Sequence, residues 1–336
     1  MHVAVDVAID VGTTTTRLAT ADGSVFLREA SVVAVDTTTG DIVDIGDSAM
    51  RKIGRDPRHV VNFRPLANGT TIDFDVAARL IRALFDRAGF SRMSRVHATM
   101  SVPAFATSIE RRALRQAALQ AGAVDATLIE APIAAAIGVG LHVDEPVAAP
   151  IIMLGGGACE TALMSLGGIV TAKSVRIGGS HLDESIASAL RHRYGVVVSP
   201  RVAESLKNEL GSLMGSRRRD VRVVPARTVD VGLPVSVEVS AEVVDGAIAD
   251  HVRSIVRSVK ECLGEAPPDL SQDVSVRGIH VVGGMAQLHD FPELLTHEVG
   301  VACTTVVQPD LVVIRGLLRC LNELQTLHRS LRLTDV

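Results

Sequence analysis

The stretch IIMLGGGACE, residues 151–160, is an apolar run that leads into three consecutive glycines. Glycine lets backbone N–H groups approach an anionic oxygen because no Cβ stands in the way. The same outline of strand, glycine turn and strand occurs in IDVGTTTTRLAT, residues 9–20. A third strand is predicted after each copy, at 25–27 and 169–174. We infer an internal duplication, with two similar lobes that face each other across a phosphate-binding cleft.

Length and composition favour a globular protein with more than one core. A chain of 336 residues is longer than one hydrophobic core usually supports, so we expect two domains or one domain split into lobes. The net charge of −4 and the 2% content of aromatic residues, with no tryptophan, provide neither the positive surface nor the stacking rings that nucleic-acid binding needs. We therefore expect no nucleic-acid partner.

Cysteine usage and the amino terminus predict a cytoplasmic protein. The four cysteines are far apart and form no metal-binding spacing, which is typical of a reducing compartment. The segment MHVAVDVAIDVG, residues 1–12, lacks a basic region and is interrupted by Asp6 and Asp10, which indicates a buried strand rather than a signal peptide. No apolar run reaches the roughly 20 residues that span a bilayer, so any membrane contact is expected to be peripheral.

Hydrophobic periodicity predicts an alternation of strands and helices. Strands are expected over 3–9, 17–20, 25–27, 32–35, 37–40, 42–45, 96–102 and 279–282, with a hairpin over 221–239. Helices are expected over 74–87, 108–121, 131–140, 182–194, 200–213, 241–263 and 313–329. This is an α/β pattern in which helices follow strands on a shared sheet.

Several longer segments resemble one family closely. They are IDVGTTTTR at 9–17, VPAFATSIERRALRQAALQAGA at 102–123, LIEAPIAAAIGVGL at 128–141, VAESLKNELG at 202–211 and GIHVVGGMAQLHDFPEL at 278–294. Together they resemble the MreB and Mbl family of bacterial actins, within the superfamily of actin, Hsp70 and sugar kinases. The resemblance covers nearly the whole chain.

The resemblance implies an actin-like (ribonuclease H-like) duplicated α/β fold, with two lobes around a nucleotide cleft. The first lobe would have its large subdomain at 1–30, 70–147 and 317–336 and its small subdomain at 31–69. The second lobe would have its large subdomain at 148–180 and 256–316 and its small subdomain at 181–255. ATP or ADP with Mg²⁺ is the implied cofactor.

The resemblance also implies which residues hold the nucleotide. The first phosphate loop would be Asp10, Gly12, Thr13 and Thr16, with Asp10 holding the water shell of Mg²⁺; the alternative for Asp10 is a strand-end carboxylate that caps a turn. The second phosphate loop would be Gly155, Gly156 and Gly157. Glu204 and Lys207 would flank the purine and ribose, unless they form a surface ion pair. Gly283 and Gly284 would form the adenosine loop, in which Met285 replaces the family's third glycine.

The second phosphate loop departs from the family pattern. The family's DIGGGTTE is MLGGGACE here, so Met153 replaces a metal-side Asp and Ala158 replaces a Thr. The family's EEP is Glu130-Ala131-Pro132, so Ala131 replaces the carboxylate that polarises water. Glu130 is a possible substitute, although adjacent side chains at a strand-to-helix junction point in different directions. ATP hydrolysis is therefore expected to be impaired or absent.

Two further departures concern shape. An Ala/Gly-rich family segment is LVVIRGLL at 311–318, whose bulk is expected either to fill part of the cleft or to shift a helix. The family's GGD is Gly178-Gly179-Ser180.

The resemblance implies self-association into filaments at the inner membrane face, with a role in cell shape and in cell-wall or spore-wall synthesis. An active MreB paralogue and cell-wall synthesis proteins are the expected partners. Phe90 and Met93 lie where the family places a membrane-inserting loop. The alternative function is an active ATPase of the actin/Hsp70 superfamily, acting as a dynamic filament or as a chaperone-like machine.

Overall fold

The computed structural model describes residues 4–55, 59–67, 70–71, 73–91, 93–217 and 219–333. The chain divides into two units, residues 1–145 with 311–336 and residues 146–310. Each unit is built around its own five-stranded sheet.

The first unit begins with ten strands and four helices among its described residues. The strands are β1 (Ala4–Val11), β2 (Thr15–Thr20), β3 (Phe26–Ala30), β4 (Val33–Asp36), β5 (Ile42–Ile45), β6 (Val60–Phe63), β7 (Leu66–Ala67), β8 (Thr70–Thr71), β9 (Arg95–Val102) and β10 (Ala123–Glu130). The helices are α1 (Asp47–Lys52), α2 (Phe74–Arg87), α3 (Ser108–Gln120) and α4 (Ala131–Val139). The main sheet has the order β10-β9-β1-β2-β3, and β4, β5 and β6 form a smaller sheet.

The second unit has eight strands and five α-helices in the part of the chain that the structure describes. The strands are β11 (Ala149–Leu154), β12 (Cys159–Ser165), β13 (Gly168–Val175), β14 (Val196–Val197), β15 (Val221–Thr228), β16 (Pro234–Ser240), β17 (Ile279–Val282) and β18 (Cys303–Thr305). The helices are α5 (Gly179–Tyr194), α6 (Pro200–Leu210), α7 (Ala241–Gly264), α8 (Pro268–Arg277) and α9 (Phe291–Val299). The final helix α10 (Val312–Leu333) belongs to the first unit.

The two main sheets have the same topology, which confirms the predicted duplication. The second sheet has the order β13-β12-β11-β17-β18. In each unit the opening strand pairs antiparallel with the next strand and parallel with a later one. The third strand of each unit, β3 or β13, is an edge strand next to the second strand of that unit. Each unit therefore carries its glycine turn at the end of the sheet's central strand.

Helix α2 shows how the first core is assembled. Its start is fixed by Asp73, whose side chain accepts a hydrogen bond from the N–H of Val76. Apolar residues at helical spacing bury Leu80, Ile81 and Leu84 against a cluster that also contains residues of β1 and β9. Each fully buried aliphatic side chain of this kind contributes about 1.5–3 kcal/mol.

Helix α10 packs against α4 with almost no space between their backbones. A Cβ on Gly316 would lie 1.7 Å from the carbonyl oxygen of Ala134, and a Cβ on Gly138 would lie 2.1 Å from that of Val312. Ile314 and Leu317 are fully buried in the same cluster. The bulky 311–318 segment thus packs into the core of the first unit. The chain returns to this unit at Leu311, and α10 contacts α4 from its first turn.

The structure confirms helices and strands that were predicted from the local spacing of apolar residues. Helix α2 and strand β17 have the predicted bounds. Segment 37–40, predicted as a strand, is the turn between β4 and β5, because Asp36 accepts a hydrogen bond from the N–H of Thr38 and its carbonyl accepts one from Gly40. The predicted helix over 200–213 ends at Leu210, ahead of Gly211. The first predicted strand includes residue 3, which lies outside the described residues.

Candidate functional site

The first glycine turn connects β1 to β2 and is closed by its own backbone. The N–H of Gly12 donates to the carbonyl of Thr15 at 3.2 Å. A Cβ at position 12 would lie 2.7 Å from that oxygen, so glycine is required here. The turn is therefore narrow, as a loop that closes around an anion must be.

Thr16, predicted to belong to the first phosphate loop, supports the turn through its side chain. It is fully buried, and its hydroxyl lies 2.8 Å from the hydroxyl of Ser31. Ser31 in turn donates to the carbonyl of Gly12 at 2.6 Å. Arg64 Nη1 also donates to the carbonyls of Thr13 and Thr14, each at 3.2 Å. These bonds hold the turn in shape and place a guanidinium beside it.

Arg17 and Ser101 both contact the Asp10 carboxylate. Arg17 lies directly opposite Asp10 in the β1–β2 register, and its Nη1 is 3.5 Å from Asp10 Oδ2. Ser101, on the neighbouring strand β9, donates its hydroxyl to Asp10 Oδ1 at 2.9 Å. Arg17 is 7% exposed, so this is a buried ion pair.

The second glycine turn repeats the geometry of the first. The N–H of Gly155 donates to the carbonyl of Ala158 at 3.0 Å, and a Cβ on Gly155 would lie 2.6 Å from that oxygen. Gly155 and Ala158 thus correspond to Gly12 and Thr15. The backbone is duplicated although the side chains are not.

The amino terminus of α5 supports the second turn. The N–H groups of Gly179 and Ser180 donate to the carbonyls of Gly155 and Gly156, at 3.1 and 2.9 Å. The Ser180 hydroxyl also donates to the Gly156 carbonyl, at 2.8 Å. A Cβ on Gly178 would lie 2.5–2.6 Å from Gly156 and Gly157 backbone atoms. Ser180, where the family has an Asp, therefore stabilises the turn.

The altered positions carry side chains without acid–base chemistry. Met153 is partly buried on β11, opposite Glu160 in the β11–β12 register. Cys159, next to Ala158, is buried, and burial raises the pKa of its thiol to about 12, so it stays protonated near neutral pH. Neither Met153 nor Ala158 offers a side-chain oxygen to a metal or to water.

Glu130, the possible substitute for the carboxylate missing at Ala131, is already engaged. Its Oε1 lies 2.9 Å from Nη1 of Arg111 on α3. Both side chains are about one-third exposed, at 32% and 30%. One oxygen of the Glu130 carboxylate is thus occupied by the Arg111 guanidinium.

Lys207, on α6, is buried beside the amino-terminal end of α5. Its Nζ is 2.8 Å from Asp183 Oδ1 and donates to the carbonyl of Gly179 at 3.3 Å. A Cβ on Gly179 would lie 3.3 Å from both Lys207 Nζ and Met285 Cγ, so Met285 lies beside the same glycine. Glu204 is exposed on α6. The alternative of a surface ion pair is wrong for Lys207, since this lysine is buried and pairs with Asp183.

The predicted adenosine loop follows β17. Gly283 has φ +93°, and a Cβ there would lie 2.4 Å from the carbonyl of Leu154. The 3₁₀ turn Gly284–Gln287 comes next, and a Cβ at Gly284 would meet nothing within 4 Å. Gly283 is thus required by backbone packing, whereas Gly284 leaves open space beside the loop.

The two predicted membrane residues differ in exposure. The ring of Phe90 is partly buried against Phe85, with centroids 6.2 Å apart. Met93 is 68% exposed. Across the described residues, no helix has both the length and the apolar character needed to cross a bilayer.

The donor set does not fit a directly bound divalent cation. Mg²⁺ prefers carboxylate oxygens and retained waters in octahedral geometry. Asp10 already has Arg17 and Ser101 as partners, and Met153 stands where the family has its second carboxylate. Within the described residues, no three His, Cys, Asp or Glu side chains form a group that could hold a metal.

Arg17 and Asp183 were not among the predicted site residues. A signal for Arg17 was available, because a charged residue inside a strand that follows a glycine turn is uncommon. The partner of Lys207 was not available from local sequence, since Asp183 lies on a different helix.

The fold and the paired glycine turns define an actin-like protein. The chain matches the crystal structure of MreB5 of Spiroplasma citri bound to ADP with a TM-score of 0.87 and 26% identity, covering 94% of this chain and 95% of that one. It shares its fold with the MamK double helical filament, at a TM-score of 0.80 and 20% identity, covering 95% and 99% of the two chains.

The chain belongs to the MreB/Mbl protein family, whose sequence pattern matches residues 4–329. The cell shape-determining protein MreB of Escherichia coli (strain K12) is 34% identical over 318 residues, which cover 93% of this chain and 91% of that protein. The resemblance seen in the sequence and the predicted fold class are thereby confirmed.

Proposed function

We propose that this chain is a cytoskeletal protein that binds ATP or ADP and hydrolyses ATP slowly or not at all. The observation that carries the proposal is the pair of glycine turns, which share one backbone geometry while the second lacks the reactive side chains. Support for nucleotide binding comes from the related MreB5, whose structure is described as bound to ADP.

Impaired hydrolysis is inferred from the residues at three positions of the family pattern. Met153, Ala158 and Ala131 replace a carboxylate, a hydroxyl and a second carboxylate of the family pattern. Phosphoryl transfer depends on groups that position water and stabilise charge, and losing one such group costs about 3–4 kcal/mol of barrier. Glu130 does not make up for Ala131, because Arg111 holds its carboxylate.

We further propose self-association into filaments at the inner membrane face, in support of cell shape and of cell-wall or spore-wall synthesis. Support comes from the shape-determining relatives and from the shared fold with a filament of MamK. Met93 is the exposed apolar side chain for a membrane contact. One contact of this size binds weakly, so a filament with many copies would be needed for firm attachment. An active paralogue and cell-wall synthesis proteins are the proposed partners.

Three measurements on the purified protein test the proposal. Calorimetric titration with ADP and ATP should give heat, high-speed sedimentation should pellet the protein as polymer, and phosphate release should stay near the rate without protein. Absence of binding at millimolar nucleotide would refute nucleotide binding. Rapid turnover would instead favour an active ATPase.

A further inference from the structure

The ion pair between Asp10 and Arg17 is built into the sheet. Because β1 and β2 place the two residues directly opposite each other, their side chains lie on the same face. The two side chains are 15% and 9% exposed, and Ser101 occupies the other carboxylate oxygen at 2.9 Å. The carboxylate that a divalent cation would use thus has its charge compensated by the protein.

The second glycine turn has no acidic residue at the central-strand position that corresponds to Asp10. In its register, Met153 takes the place of Asp10, and Glu160 takes the place of Arg17. The carboxylate is thus on β12, and it is 7% exposed. No pair of acids therefore occurs at the two equivalent central-strand positions.

We propose that Arg17 takes the place of a divalent cation at the first phosphate loop, so that the protein binds ADP and ATP without Mg²⁺. The inference rests on the nucleotide binding proposed above. A guanidinium is always charged and suits phosphate oxygens, and Arg17 also neutralises a carboxylate that would otherwise repel the nucleotide. Arg64 places a second guanidinium at the same loop, bonded to the carbonyls of Thr13 and Thr14.

Arg17→Leu removes this compensation and leaves the Asp10 charge near the phosphates. ADP affinity measured in EDTA should then fall by about tenfold or more. Excess Mg²⁺ should recover much of that loss. Adding Asp10→Asn to Arg17→Leu should restore metal-free binding, because the repelling charge is gone.

Arg28→Leu is the matched control. Arg28 lies opposite Arg17 in the β2–β3 register, but it is exposed, so the variant removes the same charge from the same sheet. Its ADP affinity should equal that of the unmodified protein. Arg17→Lys keeps the charge and should retain metal-free binding. Thermal unfolding shows whether each variant is folded.

The deciding experiment is calorimetric titration of the full chain with ADP, once in EDTA and once in excess Mg²⁺. Affinities within about threefold of each other support the proposal. Binding that requires Mg²⁺ overturns it, favours an Asp10 that holds hydrated Mg²⁺, and leaves the proposed nucleotide binding intact. An absence of heat in both buffers overturns the proposed function together with this inference. The comparison on the unmodified protein stands even if Arg17→Leu does not fold.

Discussion

Lys207 and Asp183 form an ion pair of 2.8 Å between Nζ and Oδ1, with the lysine side chain only 8% exposed. The same ammonium donates to the carbonyl of Gly179, in the first turn of α5. Lys207 therefore holds α6 to α5 beneath the second phosphate loop, in addition to any role beside a nucleotide.

Lys207→Met should destabilise the fold, because it leaves the Asp183 charge partly buried without its cation. Losing one partner of such a pair costs about 3–5 kcal/mol. Denaturant unfolding measures the loss. Asn208→Ala, at an exposed position next along α6, should change stability by less than about 0.5 kcal/mol. Equal stability of the two variants would rule out a supporting role for Lys207.

Gly316→Ala should destabilise the first unit by about 2–3 kcal/mol, since a Cβ there would lie 1.7 Å from the Ala134 carbonyl and force α10 away from α4. Gly246→Ala is the matched control, because this glycine lies in α7 and a Cβ added to it would meet nothing within 4 Å. It should raise stability by about 0.5–1 kcal/mol. Thermal unfolding that moves both variants in the same direction would contradict this account of the packing.

Restoring the altered side chains together should raise ATP hydrolysis. The variant with Met153→Asp, Ala158→Thr and Ala131→Glu should release phosphate at least about tenfold faster, whereas each single change should do little because such groups act as a unit. The control variant Met153→Asn, Ala158→Thr and Ala131→Gln has similar shapes without the carboxylates. If the unmodified protein already turns over rapidly, with Asp10→Ala abolishing the activity, the hydrolysis hypothesis fails.

Met93→Ser should lower co-sedimentation with anionic vesicles, because this side chain is 68% exposed in the loop before β9. Met214→Ser is the control, since Met214 is 52% exposed on a loop of the second unit. Phe90→Ser should mainly lower the unfolding temperature, because Phe90 packs against Phe85. Unchanged vesicle binding in Met93→Ser would exclude this loop as the attachment point.

The buried Cys159 thiol predicts a loss of stability at alkaline pH. Burial raises its pKa from 9.0 to about 12, so the folded state keeps a proton that the unfolded state releases above pH 9. The contribution of the protonated thiol to the free energy of unfolding is fully present below pH 9. It falls by about 1.4 kcal/mol per pH unit as the pH rises towards 12. Cys159→Ala should flatten the curve of unfolding free energy against pH in that window. Parallel curves for the two proteins would argue against this origin.

Features that depend on local patterns could be predicted from the sequence. The period of apolar residues in α2 and the glycines at positions 12 and 155 identify a helix and two turns, because the signals lie within a few neighbouring residues. Duplication of the turns then predicted the duplicated sheets.

Features that depend on contacts between distant parts of the chain could not be predicted from the sequence. Arg17 meets Asp10 only once the β1–β2 register is set, and Lys207 meets Asp183 only once α6 packs on α5. The burial of Ile314 and Leu317 in the first unit's core likewise depends on how α10 packs against α4, which the local sequence of 311–318 does not show.

The bonds from Gly179 and Ser180 to the second turn have a mechanical consequence. Because the N–H groups of Gly179 and Ser180 are bonded to the carbonyls of Gly155 and Gly156, the start of α5 is mechanically coupled to the turn. Lys207 links α6 to α5, and α6 packs against strand β15 of the β15–β16 hairpin. Hydrogen bonds and packing contacts thus connect the exposed hairpin to the glycine turn through α6 and α5, so a displacement of the hairpin is expected to reach the turn.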